Sequence, residues 1–456
     1  MLTLFAACSA PALHAEEPNG RNERHGPDPE DRRARSPEVA AEEDLTVRPP
    51  RPRPALAATA AAAALPLAIA NPTAAQLPLA ANGEDLADAP GEAIYSASCA
   101  NCHGLDGTGL PPSLLAFEEE VPDFTDCDFA AREPDGDWIA VAHEGGPVRG
   151  FSEMMPAFRG ALTEEQLGRV MGYIRTLCTD DNWPRGELNL PRPLLAEKAY
   201  PEDEWVVELG VDLESGGGAS ASYVYEQRFG PRSQVEIVIP YGWRSSGAHD
   251  HGHDGHDHAG RDSDHPGAND DDTSGDRLRH GLGDVVVGVK HALHHDIELG
   301  RIFSVGGEVI LSTGDDGAGL GAPGNALEVF ASYGQILPDD GFVQAHAGFE
   351  APLYGGGASE GFGRVVLGRS FTEGRWGRIW SPMLEIQLKR HFESGAATAL
   401  DLVPQAQVSL NTRQHVLANF GLLIPVTGDA GETARSVRLV TYLLLDWFDG
   451  GFFEGW

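Results

Sequence analysis

The chain has 456 residues, which is enough for two or three domains. It contains 33 Lys and Arg residues against 69 Asp and Glu residues, so its formal net charge is −36. This acidic excess argues against nucleic acid as a partner, because phosphate binding needs a basic face. In the later part of the chain no stretch is apolar for the length of a membrane helix, which excludes a helical membrane protein there.

The N-terminal part reads as targeting sequence rather than folded structure. Residues 18–54 are rich in Pro, Arg, Glu and Asp, and we interpret residues 1–46 as a disordered or wrongly assigned extension. Residues 47–75 combine a basic run, an Ala-rich apolar run and small residues, which is the pattern of a signal peptide. Translation from Val47 would give an ordinary export signal. The alternative, a lipoprotein signal around Cys8, lacks a basic start.

The sequence CANCH places Cys99 and Cys102 two residues apart and His103 directly after them. This spacing is the attachment signature of haem c, because one helical turn presents both thiols to the haem vinyl groups and the imidazole reaches the iron. A zinc site would need a second ligand pair at similar spacing, and a redox CxxC pair would not need the histidine. We therefore predict one covalent haem c on Cys99 and Cys102, with His103 as an iron ligand.

The surrounding residues, 84–181, predict a small helical domain. Helices are expected before the motif at 91–97 and again at 137–146, where glycines end the second one. A final helix follows Thr163, which forms a capping box with Gln166. Apolar residues recur at helical spacing on one face of that helix. They are Leu167, Val170, Met171, Ile174 and Leu177.

The CxxCH motif, the MPAF element and the closing YIRTL helix together resemble the small single-haem cytochromes c of bacteria. The resemblance implies an electron carrier rather than an enzyme, with both axial positions of the iron filled. It also implies that the methionine before the proline, Met155, is the sixth ligand, and a thioether ligand raises the reduction potential. Met154 and His143 remain alternatives, whereas Met171 lies on the predicted core face.

Cys127 and Cys178 are the two cysteines left when Cys8 and the haem pair are set aside. Haem c is attached outside the cytoplasm, where disulfides persist. We therefore predict a disulfide bond between Cys127 and Cys178. Two buried free thiols are the alternative.

Residues 182–203 form a proline-rich segment that we interpret as a linker, and beyond it apolar and polar residues alternate. Alternation with a period of two indicates strands, of which about twelve occur in residues 204–456. Their connections are alternately short and long, as in an outer-membrane barrel with an even number of antiparallel strands. A soluble β-sandwich is the alternative. The predicted fold is a small all-α cytochrome domain followed by an antiparallel transmembrane β-barrel of about 12 strands.

The loop 247–280, after the third predicted strand, is rich in His and Asp. Such tracts bind zinc, nickel or copper, although no fixed geometry can be argued for this one. The candidate ligands are His249, His251, His253, His256 and His258. A solvated low-complexity loop without metal is the alternative.

The fusion predicts a periplasmic electron-transfer cytochrome tethered to an outer-membrane β-barrel pore, with a periplasmic redox partner and membrane lipid as its partners. An even strand number returns the chain to the periplasmic side, and inward charges such as Lys290, Glu385 and Asp401 predict a packed lumen. The barrel resembles transporter-like outer-membrane proteins for aromatic compounds. One alternative is therefore a transporter or porin, for a metal or small aromatic cargo, with a redox-sensing cytochrome. The second alternative is a cytochrome–porin that oxidises iron at the cell surface. The chain resembles such fused proteins, but they have a much shorter haem segment before the barrel.

Overall fold

The computed structural model describes residues 86–213, 218–245, 278–354, 358–427 and 436–446. The N-terminal extension, the predicted signal peptide and the five candidate metal-binding histidines, His249 to His258, lie outside the described residues. Among the helices that are described, none is both long and apolar enough to cross a membrane. The described chain forms a helical domain followed by a β-barrel.

Five α-helices are present in the described part of the helical domain. They are α1 (Gly91–Ser98), α2 (Ala100–His103), α3 (Cys127–Arg132), α4 (Asp135–Glu144) and α5 (Glu164–Ile174). The core forms where α1 packs against α5, with Ile94 and Tyr95 fully buried against Leu167 and Val170. A Cβ atom on Gly91 would lie 2.0 Å from the carbonyl oxygen of Arg169. The close crossing of the two helices therefore needs a glycine at this position.

The start of α5 has the predicted capping box. The side chain of Thr163 accepts a hydrogen bond from the backbone N–H of Gln166 at 3.2 Å, and the Gln166 side chain accepts one from the backbone N–H of Thr163 at 2.7 Å. These two bonds satisfy backbone N–H groups that have no partner within the helix, so the prediction from sequence is confirmed.

Twelve antiparallel strands follow in the described residues. They are β1 (Glu204–Asp212), β2 (Ala219–Phe229), β3 (Ser233–Ser245), β4 (Leu278–Leu282 and Val285–Asp296), β5 (Arg301–Leu311), β6 (Ala326–Ile336), β7 (Gly341–Pro352), β8 (Glu360–Arg369 and Phe371–Thr372), β9 (Ile379–His391), β10 (Thr398–Ser409), β11 (Val416–Thr427) and β12 (Arg438–Asp446). Both segments of β4 pair with β3, and both segments of β8 pair with β9.

The sheet is closed. Each strand pairs with the next, and β12 pairs with β1 in a register that joins Glu204 to Asp446 and Asp212 to Arg438. Closure leaves neither end of the sheet with an exposed strand edge. The predicted 12-stranded antiparallel barrel is therefore confirmed, and a β-sandwich is excluded.

The outer and inner faces of the barrel differ in polarity. On β1, Val207, Leu209 and Val211 point outward and are 40–47% exposed, whereas Val206, directly before them, points inward and is fully buried. On β9 the outward Leu384 is 40% exposed, while its inward neighbour Glu385 is fully buried. An apolar exterior around a polar interior belongs in a lipid bilayer, and a closed barrel of this kind is an outer-membrane protein.

Residues 182–203 were interpreted from sequence as a linker, and we refer to them as the plug, because from Leu188 to Glu202 they lie inside the barrel. Arg185 and Glu187, at the start of the plug, still contact Asp135 of α4. Backbone N–H groups of the plug donate to side chains on strands at widely separated positions around the wall. The pairs are Glu202 with Gln234 on β3 (2.7 Å), Glu197 with His346 on β7 (3.2 Å) and Leu194 with Gln405 on β10 (3.0 Å). Only a segment within the lumen can reach all three strands of a closed barrel.

Ion pairs hold the plug to the wall. Arg192 is buried and contacts the carboxylates of Glu204 and, at 2.8 Å, Glu226. Lys290 on β4 reaches the plug in the other direction and contacts Glu197. These residues lie near the end of the barrel where the short turns are, so that end of the lumen is filled, and the packing predicted from the inward charges is found there.

Candidate haem site

The CxxCH motif forms one helical turn at the junction of α1 and α2. The backbone N–H of Cys99 donates to Tyr95 at 2.8 Å, and that of His103 donates to the Cys99 carbonyl at 3.0 Å. Cys99 and Cys102 are half-buried free thiols. Burial, together with the neighbouring Cys102, raises the pKa of Cys99 to about 12, so this thiol is protonated at neutral pH.

The imidazole of His103 stacks on the ring of Phe124, with 4.7 Å between the ring centroids. Its Nδ1 atom is buried and has no hydrogen-bond partner within the described residues. Burial lowers the pKa of His103 to about 4, so the ring is neutral at physiological pH. A neutral imidazole offers a lone pair to a metal ion.

The loop after the motif folds back on it. The backbone N–H groups of Gly109 and Leu110 donate to the carbonyls of His103 (3.0 Å) and Cys102 (2.8 Å). Gly109 has a positive φ of 75°, and a Cβ atom there would lie 2.6 Å from the carbonyl oxygen of Val121. The glycine therefore permits both the left-handed backbone and the close approach that brings the loop against the motif.

The alternative iron ligands differ in their surroundings. Met155 is half-buried, and its carbonyl accepts a hydrogen bond from Gly146 at 3.0 Å, whereas Met154 is 44% exposed. Met171 is buried within the core face of α5, as expected. The His143 ring contacts Glu144 at 2.9 Å and lies 5.8 Å from the ring of Trp376 in the barrel.

These residues fit haem c. Two free thiols and a neutral imidazole lie on one helical turn, beside a cluster of buried apolar side chains that includes Phe124 and Leu162. The buried Nδ1 atom of His103 has no hydrogen-bond partner among the described residues, so the hydrogen-bonding capacity of the imidazole is not fully used there. A CxxCH turn in a small helical fold defines a c-type cytochrome.

Comparison with known proteins identifies the family. Residues 87–174 match the family described as cytochrome c oxidase, cbb3-type, subunit III. Cytochrome c-554(547) of Halothiobacillus neapolitanus is 33% identical over 93 residues, which cover 20% of this chain and 94% of that protein. The chain therefore belongs to the cytochrome c family through its helical domain. Membership implies haem c and electron transfer.

Solved structures of outer-membrane barrels are similar to the strand region. An outer membrane channel from Pseudomonas putida F1 is 13% identical, with a TM-score of 0.37, over 56% of this chain and 99% of that chain. LpxR from Salmonella typhimurium is 11% identical, with a TM-score of 0.31, over 54% of this chain and 100% of that chain. The closed strand pairing and the polarity of the two faces define the barrel independently of these similarities.

The helical domain packs against the short-turn end of the barrel. Glu133 contacts His415, in the turn between β10 and β11, at 2.8 Å. Burial alone would lower the pKa of His415, but the hydrogen bond and the charge of Glu133 outweigh burial and raise it. Arg149 donates to the carbonyl of Trp376, in the turn between β8 and β9, at 2.8 Å. The cytochrome is thus fixed at the mouth that the plug fills.

Further ion pairs join the same two parts. Arg132 on α3 contacts Asp203, directly before β1, at 2.8 Å, and Glu164 at the start of α5 contacts Arg375 at 2.5 Å. Between the two parts lies a cavity of about 250 Å³, whose lining includes Arg132, His415 and Asp446.

Reasoning from sequence missed both the plug and this interface. The available signal was the composition of residues 182–203, because an exposed linker has little need of leucines. Leu188, Leu190 and Leu194 are all at most 8% exposed in the structure. Their contacts lie on strands far away in the sequence, so no local pattern showed where they would be buried.

Cys127 and Cys178 are bonded to each other in the structure and join the start of α3 to the residues after α5. We expect mass spectrometry of the non-reduced, exported protein to find one pair of peptides linked through these cysteines. Replacing both by serine should lower the free energy of unfolding by about 2–4 kcal/mol, because the bridge restricts the unfolded chain. Alkylation of both thiols without prior reduction would contradict the bridge.

Proposed function

We propose that this protein is a periplasmic electron carrier fixed at the inner mouth of an outer-membrane β-barrel. Cys99 and Cys102 would hold one haem c through thioether bonds, and His103 and Met155 would ligate its iron. When bound, the haem supplies a one-electron couple between ferric and ferrous iron. The protein's part is to hold the ligands, to exclude water and to set the position of the site relative to the membrane.

The neutral state and the stacking of His103 support its role as the proximal ligand. Phe124 limits rotation of the imidazole, and the backbone bonds of the motif hold the residue at the end of α2. For the second ligand, the half-buried Met155 is favoured over Met154, because an exposed thioether would have to leave solvent. His143 is already engaged by Glu144 and faces the barrel.

The attachment of the helical domain to the short-turn end is the observation that carries the proposal. Glu133, Arg149 and Glu164 each contact a barrel turn, so the domain is held at that end. In outer-membrane barrels the short turns face the periplasm. The apolar band of such a barrel is about 25 Å tall, and electron tunnelling decays exponentially with distance. A single haem at the inner mouth therefore exchanges electrons with periplasmic partners.

Intact cells test the side on which electrons enter. Two reductants are compared, one small enough to pass the outer membrane and one coupled to an impermeant dextran. We expect that only the small reductant reduces the haem promptly. The reduction is monitored through the absorbance of the haem. Cells broken by sonication serve as the control, in which both reductants should act. Equal rates in intact cells would place the haem in contact with the cell exterior and favour surface oxidation of iron.

A further inference from the structure

Acidic residues occupy one continuous row on the inner wall of the barrel. Cross-strand pairing joins Glu204 to Glu226 and Glu226 to Glu236, and on later strands it joins Glu308 to Glu328. We call this set the carboxylate row. In order around the wall its positions are Glu204, Glu226, Glu236, Gly288, Glu308, Glu328, Glu350 and Glu360.

The carboxylate row runs obliquely through the lumen, since the strands of a barrel are tilted and staggered. It begins at Glu204, the first residue of β1, beside the plug, and ends at Glu360, the first residue of β8, at the opposite mouth. Gly288 is the one position in the row without a side chain, and a Cβ atom there would lie 2.7 Å from Glu308. The side chain of Glu308 thus lies over this gap, and the row continues.

Such an arrangement is unfavourable without added positive charge. Like charges directly opposite each other on neighbouring strands destabilise a sheet, and a buried carboxylate needs a partner. Within the described residues, ion pairs reach only three members of the row: Glu204, Glu226 and Glu360. The remaining members form no ion pair there, although the charge of Arg364 acts on Glu308 and Glu328 and that of Lys389 on Glu350.

Three carboxylates come close together at the plug. Carboxylate oxygens of Glu197, Glu226 and Glu236 lie within 4.8 Å of one another. Glu226 is fully buried, and its Oε1 accepts from Arg192 at 2.8 Å. Its Oε2 has no hydrogen-bond partner among the described residues, and the only other polar partner of this side chain there is the carboxyl group of Glu236. A cavity of about 10 Å³, roughly the space of one water-sized sphere, opens beside Glu197 and Glu236 and is also lined by Lys290.

We propose that Glu197, Glu226 and Glu236 bind one divalent cation between the plug and the wall, and that the carboxylate row conducts such ions to this site from the outer mouth. Ligands that are all carboxylate oxygens suit hard ions of the Mg²⁺, Ca²⁺ and Mn²⁺ class. Lys290 contacts Glu197 and Arg192 contacts Glu226, but these two cations face three carboxylates. The ion supplies the missing positive charge and ties the plug to β2 and β3. This site is separate from the haem and needs none of the haem ligands.

The test is titration of the purified full-length protein, in detergent at pH 7, with Mn²⁺ as the probe. Bound Mn²⁺ loses the sharp electron paramagnetic resonance signal of the free ion, and Ca²⁺ should displace it. Glu236→Gln should weaken Mn²⁺ binding by at least about tenfold. Changing a residue that only hydrogen-bonds to a metal ligand already lowers metal affinity by about that factor. Asp401→Asn is the matched control, a fully buried luminal carboxylate outside the carboxylate row, and should bind as the native protein does.

The row is tested separately by stopped-flow loading. Glu328→Gln combined with Glu350→Gln should slow the binding of Mn²⁺ and leave the affinity unchanged, since neither residue belongs to the three-carboxylate cluster. Retarded migration in unheated gels shows that each variant is folded. Absence of Mn²⁺ binding at pH 7 would mean that the carboxylates share protons instead, and would overturn the site. An affinity unchanged by Glu236→Gln would also overturn it, and unchanged loading in the double variant would overturn the path.

Discussion

Replacing both Cys99 and Cys102 by serine is expected to give a protein without covalently bound haem. Serine cannot form the thioether bonds, and the two thiols lie on the single helical turn that ends at His103. Haem staining of a denaturing gel, in which only covalently bound haem stays with the chain, should fall from full intensity to background. Immunoblotting of the same gel would show that the protein itself is still present.

The matched control is replacement of the other two described cysteines, Cys127 and Cys178. That variant loses its bridge but keeps the CxxCH motif, so it should retain haem stain even though it is less stable. Stain that persists in the Cys99 and Cys102 variant would contradict the attachment site. Loss of stain in both variants would instead point to a general failure of export or folding.

Met155→Ala is expected to lower the reduction potential of the haem by on the order of 0.1 V or more, within the ~0.8 V range that axial ligands cover. A thioether is a weak, soft ligand that favours ferrous iron, so its loss favours the ferric state. The charge-transfer absorption band from sulfur to ferric iron should vanish in the same variant. A redox titration followed by visible spectroscopy measures both effects.

Met154→Ala is the matched control, because Met154 is the adjacent methionine and is 44% exposed. It should leave the potential and the charge-transfer band nearly intact. The reverse outcome would move the ligand by one residue. If neither methionine variant has an effect, His143 becomes the candidate, and His143→Ala would decide, although its ring contacts Glu144 in the structure.

The plug connects the cytochrome to the barrel and is held at both of its ends. The chain leaves the helical domain near Trp183, whose ring lies 4.9 Å from the guanidinium of Arg228 on β2. It then passes through the lumen and emerges at Asp203 to begin β1. Because Asp203 also binds Arg132 of the cytochrome, the entry and the exit of the plug are both held at the same mouth. A domain connected in this way is an integral part of the barrel's inner end.

Features that depend on neighbouring residues were predictable from the sequence. The CxxCH turn and the Thr163 capping box each involve residues at most four positions apart, so the chain specifies them locally. The strands were also predictable, since the alternation of inward and outward side chains has a period of two along any half-buried strand. Closure of the sheet into a barrel was predicted less directly, from the alternation of short and long connections between an even number of strands.

Only the tertiary structure decided what the lumen contains. The contacts of Arg192 with Glu226, and of Leu194 with Gln405, join residues 34 and 211 positions apart. The carboxylate row likewise depends on register, because a shift of one residue on any strand would turn its glutamate outward. Register is set by turn geometry and by closure of the whole barrel, so the alignment of seven glutamates from separate strands exists only once the ring of strands is complete.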